Sequence, residues 1–390
     1  MTLTTGIERI RIRNYRVLRD VELDGLTPVT ALLGPNGSGK STVFDALGFL
    51  ADSFRRGLRP TWERRGGIAD IGTHGATGPI EIEVTCRVED ALGVYRLVIE
   101  HDDDVPVVAE EKLTWQPAGA EAPFDALEFR RGIGTVARPG VEPEPVELAT
   151  SDLLGVGVVS QLAANAQIGQ FHRFVAEIRL SDLDLEAMRK GARDDKTTRL
   201  APTGQNIGAI VRRLRTGLPR EWAGIRRSLQ KYVPGLDDIE PFQQGDGSWI
   251  VRLRERDRRE LVSPENISDG TLHLLGYLVA LRTDASVLLL EEPENQVHPR
   301  LHYLLAEESR ASSGAGQVIV ATHAPQFVDA LRPGEVWMMF RDGSGSAQTR
   351  RAADIPQLVA MVDAGGLLGN LWTEGYFDLG DPLVRSERSQ

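Results

Sequence analysis

The stretch Val29–Thr42, VTALLGPNGSGKST, decides the fold. The apolar residues Val29 to Leu33 predict a short buried strand, and the apolar spacing from Val43 to Leu50 predicts a helix. The residues between them fit the pattern G-x-x-x-x-G-K-[ST], in the strand-loop-helix context that the pattern requires. Glycines let such a loop wrap closely, so that its N–H groups and the helix N-terminus face a polyphosphate.

This stretch therefore predicts a phosphate loop for a nucleotide. Lys40 would reach the β- and γ-phosphates, and Ser41 would place its hydroxyl on Mg²⁺. The alternative is an ordinary glycine-rich turn that caps a helix. The predicted nucleotide-binding residues are Gly34, Pro35, Asn36, Gly37, Ser38, Gly39, Lys40, Ser41 and Thr42.

A pair of acids follows a second apolar run. Val287 to Leu290 leads directly into Glu291 and Glu292. Because the carboxyl ends of parallel strands border the ligand crevice, we expect both acids beside the phosphate loop. Glu291 would hold Mg²⁺, directly or through water, and Glu292 would orient and deprotonate an attacking water. The alternative is a solvated acidic turn.

Three further signals are weak when taken singly. Ser268 to Thr271 begins a helix, where a serine is a good N-cap or, at the positive helix end, a second phosphate contact for another subunit's nucleotide. His323 follows the strand-like run VIVAT and would be either a structural residue or a sensor of the γ-phosphate. Gln161 has no meaning in isolation.

The order of these signals carries more information than each alone. With the segments IERIRIRNYRVLRDVEL (7–23), ISDGTLHLLGYL (267–278), VLLLEEPENQVHP (287–299) and VIVATHAPQFVDAL (318–331), the chain resembles the ABC-type ATPase head of the SMC, RecF and OLD proteins. This group includes bacterial AAA-family, RecF-like ATP-binding proteins. The resemblance covers both ends of the chain, and residues 50–150 match it only in general pattern.

The resemblance implies a role for each motif. Residues 34–42 become the Walker A loop, Glu291 and Glu292 the Walker B pair, 294–298 the D-loop, and His323 the switch histidine. It makes Gln161 the Q-loop residue at the magnesium site. The signature turn, which acts in trans, consists of Ser268, Asp269, Gly270 and Thr271. Two departures are visible: Glu291 stands where Asp is usual, and Asp269 stands where the signature usually has a second glycine.

Two additions found in the resembling proteins are not expected here. Residues 43–286 show no run of heptads, which argues against a long coiled coil. The residues after His323 lack the glutamate and Asp-x-Asp set of a TOPRIM nuclease. If the output is nucleolysis, we expect a separate TOPRIM-like effector protein to carry it out.

Composition limits the class of protein. The chain has 390 residues, of which 41% are hydrophobic and 26% charged, which is typical of a globular protein. Cys86 is its one cysteine, so an internal disulfide framework is excluded. No apolar run approaches the roughly 18 residues of a membrane span, and the first residues lack a signal-peptide stretch. We therefore expect a cytoplasmic protein without membrane contact.

Any nucleic-acid contact would need a local basic patch, because the net charge of −11 argues against a wholly basic surface. Arginines between 252 and 259 alternate with acids and predict a self-neutralised strand. Those between 212 and 227 are less compensated. The candidate DNA contacts in this set are Arg212, Arg213 and Arg215, with a solvated helix face as the alternative.

The predicted fold class is α/β: a P-loop NTPase of ABC/RecF-like type with a mixed sheet core, an antiparallel β subdomain and a helical lobe. We expect strands at 7–23 and an antiparallel meander at 80–131, followed by a proline-broken loop at 138–151. The predicted division is 1–150 (Walker A and β subdomain), 151–262 (helical lobe and connecting strands, the strands at 236–262), 263–380 (signature to switch histidine) and 381–390 (a frayed tail).

The leading hypothesis for function is a Mg²⁺-dependent ATPase that dimerises through two bound ATP molecules. Its cycle would control DNA engagement or a partner effector, in genome maintenance or phage defence. The alternative is a nucleotide-gated docking module with negligible hydrolysis, which the long Walker B acid and the altered signature motivate. A transporter-associated ABC subunit is disfavoured by the RecF-like opening segment.

Overall fold

The strands of the described part of the chain form three sheets. The computed structural model describes residues 3–313 and 316–377. Its strands are β1 (Gly6–Tyr15), β2 (Leu18–Asp24), β3 (Val29–Leu33), β4 (Ile80–Val88), β5 (Ala91–Asp102), β6 (Val105–Gln116), β7 (Phe124–Arg130), β8 (Ile133–Arg138), β9 (Val141–Glu147), β10 (Arg179–Ser181), β11 (Ala192–Arg193), β12 (Leu236–Gln243), β13 (Ser248–Glu255), β14 (Val287–Glu291), β15 (Gln317–Thr322), β16 (Val336–Arg341) and β17 (Ala347–Arg351).

Helices flank these sheets. They are α1 (Lys40–Arg56), α2 (Leu58–Arg64), α3 (Gly67–Ile71), α4 (Gly155–Val159), α5 (Ala166–Ala176), α6 (Leu185–Lys190), α7 (Ile207–Gly217), α8 (Pro219–Tyr232), α9 (Asp269–Ala280), α10 (His302–Ser312), α11 (Pro325–Val328), α12 (Pro356–Asp363) and α13 (Leu368–Thr373). No described helix is both long and apolar enough to cross a bilayer.

The central sheet has six strands in the order β10-β14-β15-β3-β16-β17. Its neighbours from β10 to β16 are parallel, and β17 runs antiparallel to β16. Alternate side chains enter two different cores: Leu289 packs on one side of the sheet, whereas Leu288 and Leu290 pack on the other. Burial on both faces explains why β3 and β14 are continuous apolar runs.

Topology places the predicted motifs at one edge. Parallel strands end together, so the residues that follow β3, β14, β15 and β10 lie along the carboxyl edge of the sheet. These residues are the phosphate loop, Glu292, His323 and Asp182. The predicted α/β P-loop architecture is confirmed by this arrangement.

An eight-stranded antiparallel sheet, in the order β2-β1-β4-β5-β6-β7-β8-β9, contains the predicted meander. Its strand β9 corrects the prediction of a proline-broken loop at 138–151. Pro143 and Pro145 lack an N–H, but β9 is an edge strand that pairs with β8 alone within the described residues. Prolines and glutamates on such an edge also discourage pairing with another chain.

The segment at 151–262 contains both helices and strands. It contains α4 to α8, and the strands expected at 236–262 are β12 and β13, which form a small third sheet with β11. The strand β10, which the sequence did not predict, joins the central sheet beside β14. The central sheet therefore takes a strand from the 151–262 segment. The division into four parts remains a prediction, and the tail at 381–390 lies outside the described residues.

Candidate functional site

The phosphate loop wraps around the start of α1. Gly37 and Gly39 have φ angles of 76° and 112°, which favour glycine. A Cβ on Gly34 would lie 2.1 Å from the backbone oxygen of Met339, so the strand beside the loop leaves no room for a side chain. The loop borders a cavity of about 320 Å³, which is lined by residues 36–42, Val17, Glu292 and Arg341. The predicted phosphate-binding residues thus surround an open space.

Lys40 lies at the centre of this loop. Its Nζ donates to the backbone oxygens of Gly34 at 2.6 Å and Pro35 at 3.1 Å. Burial lowers the pKa of Lys40, and the nearby carboxylates of Glu292 and Glu291 oppose that effect. A phosphate group that entered the loop would compete with these two carbonyl oxygens for the Lys40 ammonium.

Ser41 and Glu291 meet although 250 positions separate them in the chain. Ser41 Oγ donates to Glu291 Oε1 at the carboxyl end of β14. Burial raises the pKa of Glu291, as do the charges of Asp182 and Glu292, while the bond from Ser41 opposes the rise. A cation at this position would relieve the repulsion among these carboxylates.

Hard oxygen donors of this kind fit Mg²⁺, which usually takes one or two protein ligands and completes its shell with phosphates and water. The described residues contain no cluster of three or more His, Cys, Asp or Glu that could hold a metal alone. Glu291 is one methylene longer than the Asp that is usual at this position. Its carboxylate still contacts the Ser41 hydroxyl, so the added length does not separate the two groups.

Glu292 occupies a constrained position next to the phosphate loop. Its φ of 41° is unusual for a residue with a side chain. Its backbone N–H donates to the Ala321 oxygen at 2.9 Å. One carboxylate oxygen lies 3.1 Å from His323 Nδ1, and the other accepts from Asn295 Nδ2 at 2.8 Å. The carboxylate that lines the cavity is therefore held from both sides.

Glu294 joins this group, although the sequence pattern gave it no separate role. It is 4% exposed. Its Oε1 accepts from Thr322 Oγ1 at 2.5 Å and from the His323 backbone N–H at 3.2 Å. Its Oε2 has no hydrogen-bond partner among the described residues. Glu294 thus fastens the segment after Glu292 to the end of the strand that carries His323.

The signature turn lies apart from the cavity of its own chain. Ser268 Oγ accepts from the Thr271 N–H at 3.3 Å, as an N-cap does, and Ser268 is exposed. Asp269 pairs with Arg189 at 2.7 Å. A Cβ on Gly270 would lie 2.7 Å from the oxygen of Gln296, so the turn packs against the D-loop. The same chain's phosphate loop does not use these residues, which remain a predicted contact in trans.

Gln161 is not among the residues that line the cavity. It follows α4, and its amide nitrogen donates to the Gly157 oxygen at 3.3 Å. The position beside Glu291 belongs instead to Asp182, which directly follows β10, the strand paired with β14. Burial raises the pKa of Asp182, with the charges of Glu292 and Asp184 adding to it. A three-residue strand such as β10 has too little periodicity to be found from sequence.

Arg341 is a second residue that the sequence analysis missed. It ends β16, lines the cavity, and its Nε donates to the Gly37 oxygen at 2.6 Å. Nothing in its local sequence distinguishes it from other exposed arginines.

The three arginines predicted to contact DNA are ion-paired within the chain. Arg212 and Arg213 share Asp194, and Arg215 pairs with Asp238 at 2.9 Å. The guanidinium of Arg212 also lies 4.7 Å from the centre of the Trp249 ring. Each of these arginines therefore already has an acidic partner. This weakens the prediction that they contact DNA, but it does not test it.

Comparison with protein families finds two matching models. The model described as "AAA domain, putative AbiEii toxin, Type IV TA system" matches residues 161–329. A second model, described as "AAA domain", matches residues 9–118. The two matches contain most of the motifs at the carboxyl edge of the central sheet.

Two relatives are nucleases. The chain is 38% identical over 344 residues to the OLD nuclease of Thermus scotoductus, and 21% identical over 380 residues to the Old nuclease of Escherichia phage P2. These alignments cover 84% and 88% of the chain, but only 60% and 61% of the nucleases. The chain therefore spans about three fifths of the length of either relative.

The fold is also similar to a solved structure. A crystal structure of an SMC head bound to the C-winged helix domain of ScpA superposes with a TM-score of 0.51 at 15% identity. The match covers 88% of this chain and 97% of that head. At this identity the likeness concerns the fold alone.

Proposed function

We propose that this chain is an ATPase head of the ABC/RecF/SMC-like group, on its OLD-like side, and that it binds and hydrolyses ATP with Mg²⁺, which the two AAA-domain matches and the OLD nuclease relative support. Two heads would close around two ATP molecules, and the cycle would control DNA engagement or a partner effector in genome maintenance or phage defence. The observation that carries the proposal is the meeting of Lys40, Ser41, Glu291, Glu292 and His323 at one edge of the sheet.

Glu292 is the proposed general base. Its carboxylate faces the same cavity as the phosphate loop, and its contacts with His323 and Asn295 limit its rotation. A base must lie within hydrogen-bond reach of the water that it deprotonates, so fixing the carboxylate favours catalysis. His323 would sense the γ-phosphate through its exposed ring. Lys40 would neutralise charge on the β- and γ-phosphates.

Ser41 and Glu291 would hold Mg²⁺, with Asp182 contributing from β10, directly or through water. The ion would supply charge neutralisation at the phosphate oxygens. Removing Mg²⁺ with a chelator should therefore abolish turnover.

The decisive experiment compares Glu292→Gln with the wild type. Loss of the base should slow phosphate release by about 100- to 10,000-fold while ATP stays bound. The mass in solution of Glu292→Gln should rise from monomer to dimer when Mg²⁺ and ATP are added. Glu142→Gln, on the exposed edge strand β9, is the matched control and should behave as wild type. Unchanged turnover in Glu292→Gln would refute the assignment.

A second candidate is a nucleotide-gated docking module with negligible hydrolysis. It is favoured by the ion pair between Asp269 and Arg189, which ties a signature residue to its own chain. It predicts tight ATP binding and dimerisation without phosphate release. Steady multiple turnover by the wild type would exclude it.

A further inference from the structure

We propose that helix α8 is a docking surface for the phosphate backbone of DNA. The surface consists of Arg220, Arg227 and Lys231, which we call the α8 stripe. All three side chains are exposed. None of them forms an ion pair within residues 3–313 and 316–377, where Lys231 is engaged only by the ring of Tyr232 at 5.5 Å.

Helical geometry aligns the stripe. At 3.6 residues per turn, positions 220, 227 and 231 fall within about 40° of one another on the helix surface. The buried residues Trp222, Ile225 and Leu229 lie about 180° away. The stripe therefore points directly away from the core, and its ends are about 16 Å apart along the axis.

The chemistry of the stripe favours nucleic acid over protein as its occupant. Protein interfaces need an apolar centre, and α8 places no apolar side chain between these cations. Gly224 occupies that position, and a Cβ added to it would meet nothing within 4 Å. Phosphate contacts require only positive charge and access, and duplex DNA offers roughly one negative charge per 1.7 Å of its axis.

One flank of α8, about 100° around the helix from the stripe, is hydrogen-bonded to α10. Ser228 Oγ and Tyr232 Oη both donate to Glu308 on α10, at 3.0 and 2.9 Å. Arg282, just after the signature helix α9, lies 3.6 Å from the same carboxylate. Helix α10 follows the D-loop. A ligand on α8 would thus act on a helix that is hydrogen-bonded to α10, and α10 is ion-paired in turn with Arg282 at the end of the signature helix.

Binding can be measured without any assumption about hydrolysis. Fluorescence anisotropy with a labelled duplex would compare the wild type with the triple variant Arg220→Gln, Arg227→Gln, Lys231→Gln, between about 50 and 200 mM salt. We expect the triple variant to bind at least about tenfold more weakly, and its slope of log affinity against log salt to be smaller by about 3.

Two further variants guard against misfolding and general charge effects. Gly224→Glu puts an acid in the middle of the stripe on a helical, open position, so it should weaken binding while Gly224→Ala binds as wild type. Arg130→Gln, Arg131→Gln, Arg138→Gln removes the same charge from the distant sheet edge and should retain wild-type affinity.

A wild type that fails to bind duplex at low salt would overturn the inference and leave an acidic protein as the occupant. So would equal affinity in the wild type, the triple variant and Gly224→Glu. The coupling to turnover rests on the proposed function: DNA should stimulate phosphate release in the wild type and not in the triple variant. If no variant hydrolyses ATP but the binding pattern holds, the ATPase proposal fails and the α8 stripe stands.

Discussion

Glu294 illustrates how a single buried carboxylate can organise a site that it does not face. Its two bonds to Thr322 and His323 join the D-loop to the end of β15. His323 in turn contacts Glu292. Since an unsatisfied buried N–H or hydroxyl costs about 1–3 kcal/mol, loss of this acceptor should displace the histidine rather than leave it unpaired. We regard Glu294 as a positioning residue.

Glu294→Ala should lower kcat about tenfold or more and change the KM for ATP little, because the phosphate loop is untouched. Glu294→Gln keeps an oxygen that can accept both bonds and should restore most of the turnover. Steady-state kinetics at saturating Mg²⁺ would measure both. Equal losses of kcat in the two variants, or a loss seen only in KM, would contradict a positioning role through hydrogen bonding.

At the scale of elements, Glu111 ties the antiparallel sheet to α4. It is fully buried in β6 and accepts from Tyr95 Oη at 3.0 Å and from the backbone N–H groups of Gly155 and Val156 at 2.5 and 3.1 Å. Burial raises its pKa to about 7. These bonds to the carboxyl group oppose the rise without cancelling it.

The raised pKa has a defined consequence for stability. The folded state keeps Glu111 protonated up to about pH 7, whereas the unfolded chain releases this proton near pH 4.5. Below pH 4.5 the protonated Glu111 makes its full contribution to the free energy of unfolding. As the pH rises from 4.5 to 7, this free energy falls by about 3 kcal/mol. Above pH 7 the contribution no longer changes.

Chemical denaturation of the wild type and Glu111→Gln from pH 4.5 to 8 tests this. Because the variant cannot ionise, the difference in unfolding free energy between the two proteins should shift in favour of the variant as pH rises, then level off. Glu110→Gln, its half-buried neighbour paired with Arg96, serves as control and should show no such shift. A pH-independent difference between wild type and Glu111→Gln would disprove the assignment.

At the scale of the whole molecule, one chain does not complete the proposed site. The phosphate loop and the signature turn belong to the same chain, yet Ser268 and its neighbours do not line the cavity. Ser268 is exposed at the start of α9, where N–H groups and the helix dipole favour a phosphate. A second copy would bring its own signature turn to the first copy's loop.

Mixing two inactive variants tests this arrangement. Lys40→Ala should disable the phosphate loop, and Ser268→Arg should block the signature turn. In a symmetric dimer, each mixed pair retains one intact composite site, so an equal mixture should recover about a quarter of wild-type phosphate release. Each variant alone should remain inactive. No recovery on mixing would mean that the turn does not act in trans.

Local pattern was sufficient for the fold class and for the position of the glycine-rich loop between β3 and α1, while phosphate binding by that loop stays a prediction. A loop of this kind needs glycines, a lysine and a hydroxyl at fixed spacing between a buried strand and a helix, and all of these are neighbours in sequence. The same holds for Glu291 and Glu292, because they directly follow an apolar strand. The α/β P-loop fold predicted from these segments is confirmed.

Other parts of the site depend on which strands become neighbours. Asp182 lies beside Glu291 because β10 pairs with β14, a contact across more than one hundred residues that no local pattern specifies. The sequence predicts Gln161 rather than Asp182 at the magnesium site for the same reason, since a local pattern contains no information on this strand pairing. Pairing of β9 with β8 overrode the local effect of two prolines. Likewise, only packing showed that Arg212, Arg213 and Arg215 are ion-paired and that the arginines and lysine of the α8 stripe are not, because the partners of a charged side chain are distant in sequence.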